Sequence, residues 1–334
     1  MNTVPTNAIR VPAAKLEGFV TQVALKLGMR QQDAELWAHL LVLNDLRGVF
    51  SHGTFQVANY LAVLRRGELN LRPDVKVVAQ TPTTVVLDGD GGLGYFAAHP
   101  AVQALTEKGK SQGVAAAVTR NHGHIGAAGL YSRLPLEHGL ACFGTSGHGL
   151  NLRPERSVLD CAGASPMTFA IPAGNEPPLV VDFGTMHDVM RNGEDMAQFM
   201  TMAPGIVFRA MGLGAVCQAL GGILAGHTPI NDPNHWSCIA NVIGKYPAAN
   251  QGSLFVVLDL SRLGDLDHFK RGMDEYVRSA RVMQPLPGQT TSSLAGGPEW
   301  QHQREWQEIG IPIDKKHEDS LNFVASEFKV PSPC

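Results

Sequence analysis

The sequence has little charge and no concentration of it. Asp, Glu, Lys and Arg make up 17% of the 334 residues, and the formal net charge is −3. There is no Lys/Arg cluster interleaved with aromatics, which argues against a nucleic-acid partner. No window approaches 18 uninterrupted apolar residues, so no membrane span is expected. The stretch from Met1 to Arg10 lacks the basic and apolar regions of a signal peptide, and a cytoplasmic location is expected. Cysteine is scarce, at positions 142, 161, 217, 238 and 334. The odd number, the wide spacing and the lack of a Cys-x-x-Cys pair argue against a disulfide scaffold and against structural zinc. Asp232, His235 and Cys238 could ligate a metal, but Asn231-Asp-Pro-Asn-His-Trp reads more simply as a loop, so no metal is expected.

What is present suits an enzyme. Hydrophobic residues make up 44%, enough for real cores, and 13 histidines and 36 glycines suit chemistry carried on loops. Apolar residues at helical spacing predict helices over 13–29, 31–46 and from Phe55 to about Gly67. From Val75 the period changes to that of strands at 75–78, 83–88, 114–119, 140–143, 167–171, 179–182 and 254–259. Helices are expected at about 96–110, 127–138, 268–283 and 318–328. The apolar, glycine-containing segment 206–224 reads as a buried helix, and 286–304 as a polar, turn-rich, solvated stretch. Met186, Met190, Met196, Met200 and Met202 read as a core-facing helix stripe. Alternating elements predict an α/β (mixed α+β) fold with a mixed sheet. A helical subdomain over 1–72 would be joined by 262–334, around a central domain over 73–261.

Two stretches carry glycines before helices. Gly89-Asp-Gly-Gly-Leu-Gly94 spells GxGxxG, but Asp88 and Asp90 crowd the loop with negative charge, and the next strand ends in Thr119-Arg-Asn121. A glycine-rich loop or hairpin is the better reading than a dinucleotide fingerprint. The second stretch, Arg120-Asn-His-Gly-His-Ile-Gly-Ala-Ala-Gly-Leu-Tyr131, places two imidazoles at a strand end, where α/β proteins often hold chemistry.

An ordered set of segments resembles the malate/L-lactate dehydrogenase family, which is not Rossmann-folded. The segments are Asp45-Leu-Arg-Gly-Val-Phe-Ser-His-Gly53, Asp88–Gly94, His122–Tyr131, Ser165–Asp182 and the glycines at 212, 221, 222 and 226. The resemblance covers most of the chain. It implies a central mixed-sheet domain that binds NAD or NADP, a homodimer, and hydride transfer between nicotinamide and a 2-hydroxy acid or its imino counterpart. His52 and His124 match the family's acid/base histidines. Reduction of a carbonyl needs a proton at oxygen as hydride reaches carbon, and imidazole is the usual donor near neutrality. Asp182 matches a cofactor-side aspartate and is grouped with the catalytic residues. The resemblance places Arg47, Ser51 and Gln56 beside the substrate, and His122, Gly126, Thr145, Ser165, Phe183, Gly184 and Arg209 beside the cofactor, with His122 read as supporting or exposed rather than in direct contact.

The departures from the family fall at ligand-facing positions. Gln56 stands where an arginine commonly holds the substrate carboxylate, losing a bidentate charged pair. Arg209-Ala210 replaces Lys-Gly, and Ala164-Ser165-Pro166 replaces Thr-Asn-Pro, removing a side-chain amide. The segment between Asp182 and Pro204 is shortened. The leading expectation is an NAD(P)-dependent oxidoreductase. The alternatives are a cofactor-independent acid/base enzyme on the same scaffold, or a non-catalytic paralogue.

Overall fold

The computed structural model describes residues 4–150, 152–186, 196–226 and 245–334. The order begins with β1 (Ala8–Val11), α1 (Ala13–Leu27), α2 (Gln31–Leu46) and α3 (Val57–Arg65). It continues through β2 (Lys76–Gln80), β3 (Thr84–Asp88), α4 (Tyr95–Gln112), β4 (Val114–His122), α5 (Gly129–Ser132) and β5 (Leu140–His148). Then come β6 (Pro166–Ile171), β7 (Leu179–Gly184), α6 (Met196–Met202), α7 (Pro204–Cys217) and β8 (Gln251–Asp259). The chain ends with α8 (Leu266–Arg281), α9 (Gly297–Ile309), β9 (Ile311–Asp314) and α10 (Lys315–Phe328). The fold is mixed α/β.

The chain divides into two compact units. One comprises Met1–Pro73, Ala173–Leu179 and Asp267–Cys334. Its helices follow the apolar spacing. On α1 the buried residues are Leu16, Phe19, Val20, Val23 and Ala24, one face at i, i+3, i+4 spacing. Gly28 stops that helix at φ 104, a conformation that costs a residue with a Cβ. Trp37 and Trp306 are fully enclosed. β1 pairs antiparallel with β9, a small ribbon that joins the two ends of the chain. Between α2 and α3 lie two short 3₁₀ turns, Phe50–His52 and Thr54–Gln56, which meet at Gly53.

The other unit comprises Asp74–Pro172 and Val180–Leu266. Its sheet runs β2-β3-β4-β8-β5-β6-β7. The crossover β3-α4-β4 gives a parallel pair there, while β2/β3, β4/β8, β8/β5 and β5/β6 are antiparallel. Helix α4 packs on β4, β8 and β3. Phe255 on β8 and Tyr131 pack at 5.5 Å in the centre.

Several expectations are corrected here. The helix expected at 127–138 is α5 and a 3₁₀ turn over Leu134–His138, because Pro135 has no amide hydrogen to continue the ladder. The segment 206–224 is not a buried helix. It is α7 followed by a π-helical turn, Gln218–Ile223, with Ile206, Phe208, Val216, Ile223 and Leu224 each at least 43% exposed. Pro204–Ile223 is also, among the described residues, the helix long and apolar enough to cross a membrane. It lies on the sheet instead, with Gly221 against the backbone of Ser146 and Gly147. The stretch 286–304 is not wholly turn: α9 starts at Gly297, and its Trp306 is buried. Of the methionines, Met186 is buried, but Met200 and Met202 are exposed, so they are not a core stripe. Met190 and the group Asp232, His235 and Cys238 lie outside the described residues.

Candidate active site

In the helical unit the chemistry gathers at the turn after α2. Ser51 Oγ lies 2.9 Å from His52 Nδ1, and His52 is half-buried. The turn is pinned from α2: Asn44 Nδ2 donates to the His52 carbonyl at 2.8 Å. Asp45, fully enclosed, accepts from Thr54 N at 2.9 Å and Thr54 Oγ1 at 2.6 Å. Thr54 Oγ1 also lies 2.9 Å from His317 Nε2. Burial pushes the Asp45 carboxyl up to about 7, against the two Thr54 hydrogen bonds. Burial lowers His317 to about 4, against nearby Asp314. A cavity of about 230 Å³ has Phe50, Ser51, Phe55, Asp314, Lys316 and His317 in its walls.

The two expected substrate contacts besides Ser51 are occupied by the protein. Gln56 Nε2 donates to the Ser51 carbonyl at 2.8 Å, and its Oε1 accepts from Asn59 at 2.8 Å. It therefore staples the turn. Arg47 caps α2 and donates through Nε to Gln303 Oε1 on α9 at 2.9 Å. It is directed to α9, because a residue just past a helix end lies on a different face from one in the following turn.

In the sheet unit, β4 ends at His122 and the turn to α5 carries His124. Gly126 N donates to His124 Nδ1 at 3.3 Å, which leaves Nε2 as the protonated nitrogen of the neutral ring. His122 is fully buried. Its Nδ1 meets the Gly123 carbonyl at 2.7 Å, and its Nε2 meets Thr119 Oγ1 at 2.7 Å. Thr119 Oγ1 in turn meets Ser253 Oγ at 2.5 Å. With both nitrogens engaged, His122 holds the turn. Asp182 Oδ2 accepts from Gly129 N at 2.8 Å, tying β7 to the start of α5. Asp182 lies inside β7, which runs on to Gly184.

Two further expected cofactor contacts are buried. Thr145 donates to the Pro166 carbonyl at 2.7 Å. Ser165 is 2% exposed and accepts from Gln218 Nε2 at 2.6 Å. The side-chain amide missing at 165 is thus supplied from the π-helical turn. Gln218 Oε1 also accepts from His148 N at 3.1 Å. Phe183 and Arg209 are exposed, and Gly184 is partly so. The glycine amides of the GxGxxG loop are engaged within the protein. The N–H groups of Gly89, Gly91, Gly92 and Gly94 donate to carbonyls of Arg120, Asn121, Gly89 and His124. Its glycines admit neighbours: a side chain at Gly91 would strike Tyr246, and one at Gly94 the Gly123 carbonyl. Among the described residues no His, Cys, Asp and Glu group has metal-binding geometry.

Asp45, Thr54, His317 and Gln218 were not among the residues singled out from sequence. Asp45 stood in the quoted Asp45–Gly53 segment, but an acidic residue near a helix end has no distinctive signal. His317 and Gln218 are remote in sequence from what they touch.

The comparisons agree with this architecture. The sequence profile of malate/L-lactate dehydrogenases matches residues 11–188 and 188–322. A malate dehydrogenase of Pyrococcus horikoshii is 27% identical, over 98% of each chain. An L-sulfolactate dehydrogenase of Methanocaldococcus jannaschii is 32% identical over 50% of this chain and 48% of its own. The solved malate dehydrogenase of Pyrococcus horikoshii OT3 has a TM-score of 0.79 at 25% identity, covering 99% of both chains. The Δ1-piperideine-2-carboxylate reductase of Pseudomonas syringae, at 20% identity and a TM-score of 0.71, shares the fold. A mixed sheet without a dinucleotide-type phosphate loop, a Ser-His-Gly turn after α2 and a histidine turn after β4 come together with that match: the chain belongs to the malate/L-lactate dehydrogenase family.

Proposed function

We propose that this protein is a nicotinamide-dependent oxidoreductase that moves a hydride between NAD(P)H and the C2 carbon of a small 2-oxo, 2-hydroxy or imino acid. The observation that carries it is His124, whose Nδ1 accepts the Gly126 amide. That contact leaves the proton of the neutral ring on Nε2, able to hydrogen-bond and polarise a substrate oxygen or imine nitrogen; the imidazolium form, with the Gly126 contact released, gives a proton there as hydride arrives and returns to the neutral ring. His52, with Ser51 on its Nδ1, is the second proton carrier. The exposed side chains of the sheet unit suit a dinucleotide in kind. Arg209 offers a guanidinium for phosphate, Phe183 a ring face for a base, and Asp182 a carboxylate at the edge strand. When bound, the nicotinamide would supply or accept the hydride. The reading extends to a homodimer in the cytoplasm.

A second reading, an acid/base lyase, hydratase or isomerase without nicotinamide, draws on one fact. Thr145, Ser165 and His122 have polar side-chain atoms engaged inside the protein. Titration of the purified protein with NADH and NADPH, followed by fluorescence and calorimetry, separates the two. Binding at micromolar to sub-millimolar levels supports the oxidoreductase. Its absence at millimolar concentrations removes it in favour of the second reading.

A further inference from the structure

Asp45 is difficult to account for as a stabilising residue. It is completely enclosed, and its Oδ1 has no hydrogen-bond partner among the described residues. A buried polar atom left unpaired is a net loss to folding, and such losses collect where function constrains the chain. The carboxylate packs against Gly53, where any side chain would collide with Oδ1. Its other oxygen takes both hydrogens that Thr54 offers. With its proton directed at Asp45, the Thr54 hydroxyl is free to accept from His317 Nε2. His317 is fixed in turn: its backbone N donates to the helix cap Asp314 at 2.8 Å, and its ring meets Phe50 and Phe55 edge-on at 6.4 and 5.5 Å.

The contacts from α2 bracket Gly53. Asn44 holds the carbonyl of His52, and Asp45 holds the amide and hydroxyl of Thr54. Both come from the last turn of α2, a rigid element, while His317 braces the assembly from α10. The His52 backbone is thereby held on its carbonyl side, while on its amide side His52 N donates to the Val49 carbonyl at 3.0 Å, and the placing of the imidazole needs no contact of its own with Asp45. We propose that Asp45 is the positioning residue for His52, acting through Thr54 with His317 as the backstop. The proposal rests on reading His52 as a proton carrier, but its test requires neither cofactor nor substrate.

The test is histidine NMR of the full chain labelled at the ring Cε1 carbon, with the His52 signal assigned by His52→Gln. Thr54→Val removes the hydroxyl that joins Asp45 to His317 and leaves the volume nearly unchanged. Thr54→Ser restores the hydroxyl. Asp314, Lys316 and His317, which border the turn, are unaltered in this pair. The expected result is a His52 titration midpoint displaced by about 0.5 pH unit or more in Thr54→Val and in Asp45→Asn, with Thr54→Ser at the wild-type value. A purely structural role lowers the melting temperature and leaves the His52 midpoint where it was. A His52 midpoint within about 0.2 unit of wild type in both Thr54→Val and Asp45→Asn overturns the proposal. Should either variant fail to fold, His317→Gln, which breaks the contact with Thr54 Oγ1 and the ring contacts with Phe50 and Phe55, is read by the same criterion.

Discussion

His124 and His52 are held by unlike means, and their substitutions should differ in outcome. His124 is reached by a backbone amide on Nδ1. His124→Gln should lower turnover by about 10²–10⁴, the usual contribution of a positioned acid/base, while nicotinamide binding measured by fluorescence is retained. Equal loss of binding would place the ring in cofactor contact instead. Asp45 makes a prediction in stability. Its folded carboxyl is near 7 against an ordinary 3.8, so the folded state binds that proton more tightly. The contribution is therefore full below about pH 4 and is lost as pH rises through 7. Relative to Asp45→Asn, the wild type should lose up to about 4 kcal/mol between pH 4 and 8 in denaturant titrations. A difference that does not change with pH would mean that Asp45 is not raised. The two histidines stand out as candidates in the sequence because motif and chemistry coincide on them. The states of Thr145, Ser165 and Gln56 do not, because a hydroxyl or amide looks the same in sequence whether it faces a ligand or a carbonyl.

At the level of elements, α7 and its π-helical turn offer a test within one segment. Gly221 faces the backbone of Ser146 and Gly147, and a Cβ there would strike it. Backbone cannot swing aside as a side-chain end can, so Gly221→Ala should destabilise by about 1–3 kcal/mol. Gly212, eight residues into the helix-forming run that starts at Pro204, has nothing within 4 Å of its would-be Cβ. Gly212→Ala should stabilise by about 0.5–1 kcal/mol through helix propensity. Thermal melts of both variants check the contrast, and similar shifts would contradict the close packing. The strands of the central sheet were legible because β-branched and apolar runs are bounded by turns. The β1/β9 ribbon was not, since it pairs residues 300 to 306 positions apart over only four residues a side. Nor does any periodicity assign Ala173–Leu179 to the helical unit. That assignment rests on Asp274 of α8, which accepts the amides of Gly174, Asn175 and Glu176. Burial raises the Asp274 carboxyl, but those amides and Arg278 outweigh it and hold the group below its ordinary value. Stability from this contact is present above the unfolded value and fades as acid protonates the carboxylate.

For the whole molecule, the apolar residues that α7 and its π-helical turn leave uncovered bear on assembly. Phe208 is 59% exposed, Ile223 53% and Leu224 56%, on a segment whose Gly221 faces the sheet. Isolated exposed apolar residues are ordinary, but several on one helical segment are the mark of an interface. A homodimer, part of the proposed function, would cover them with the same surface of a second copy, since a two-fold axis pairs like with like. Sedimentation of the wild type should then give twice the 35.8 kDa chain mass. Ile223→Glu would place two carboxylates in that interface and should shift the mass towards the monomer at micromolar concentration. Glu at Val158, 66% exposed on a 3₁₀ turn, should leave the mass unchanged. A dimer that persists in Ile223→Glu would place the interface elsewhere, and a wild type that sediments at 35.8 kDa would remove the dimer altogether.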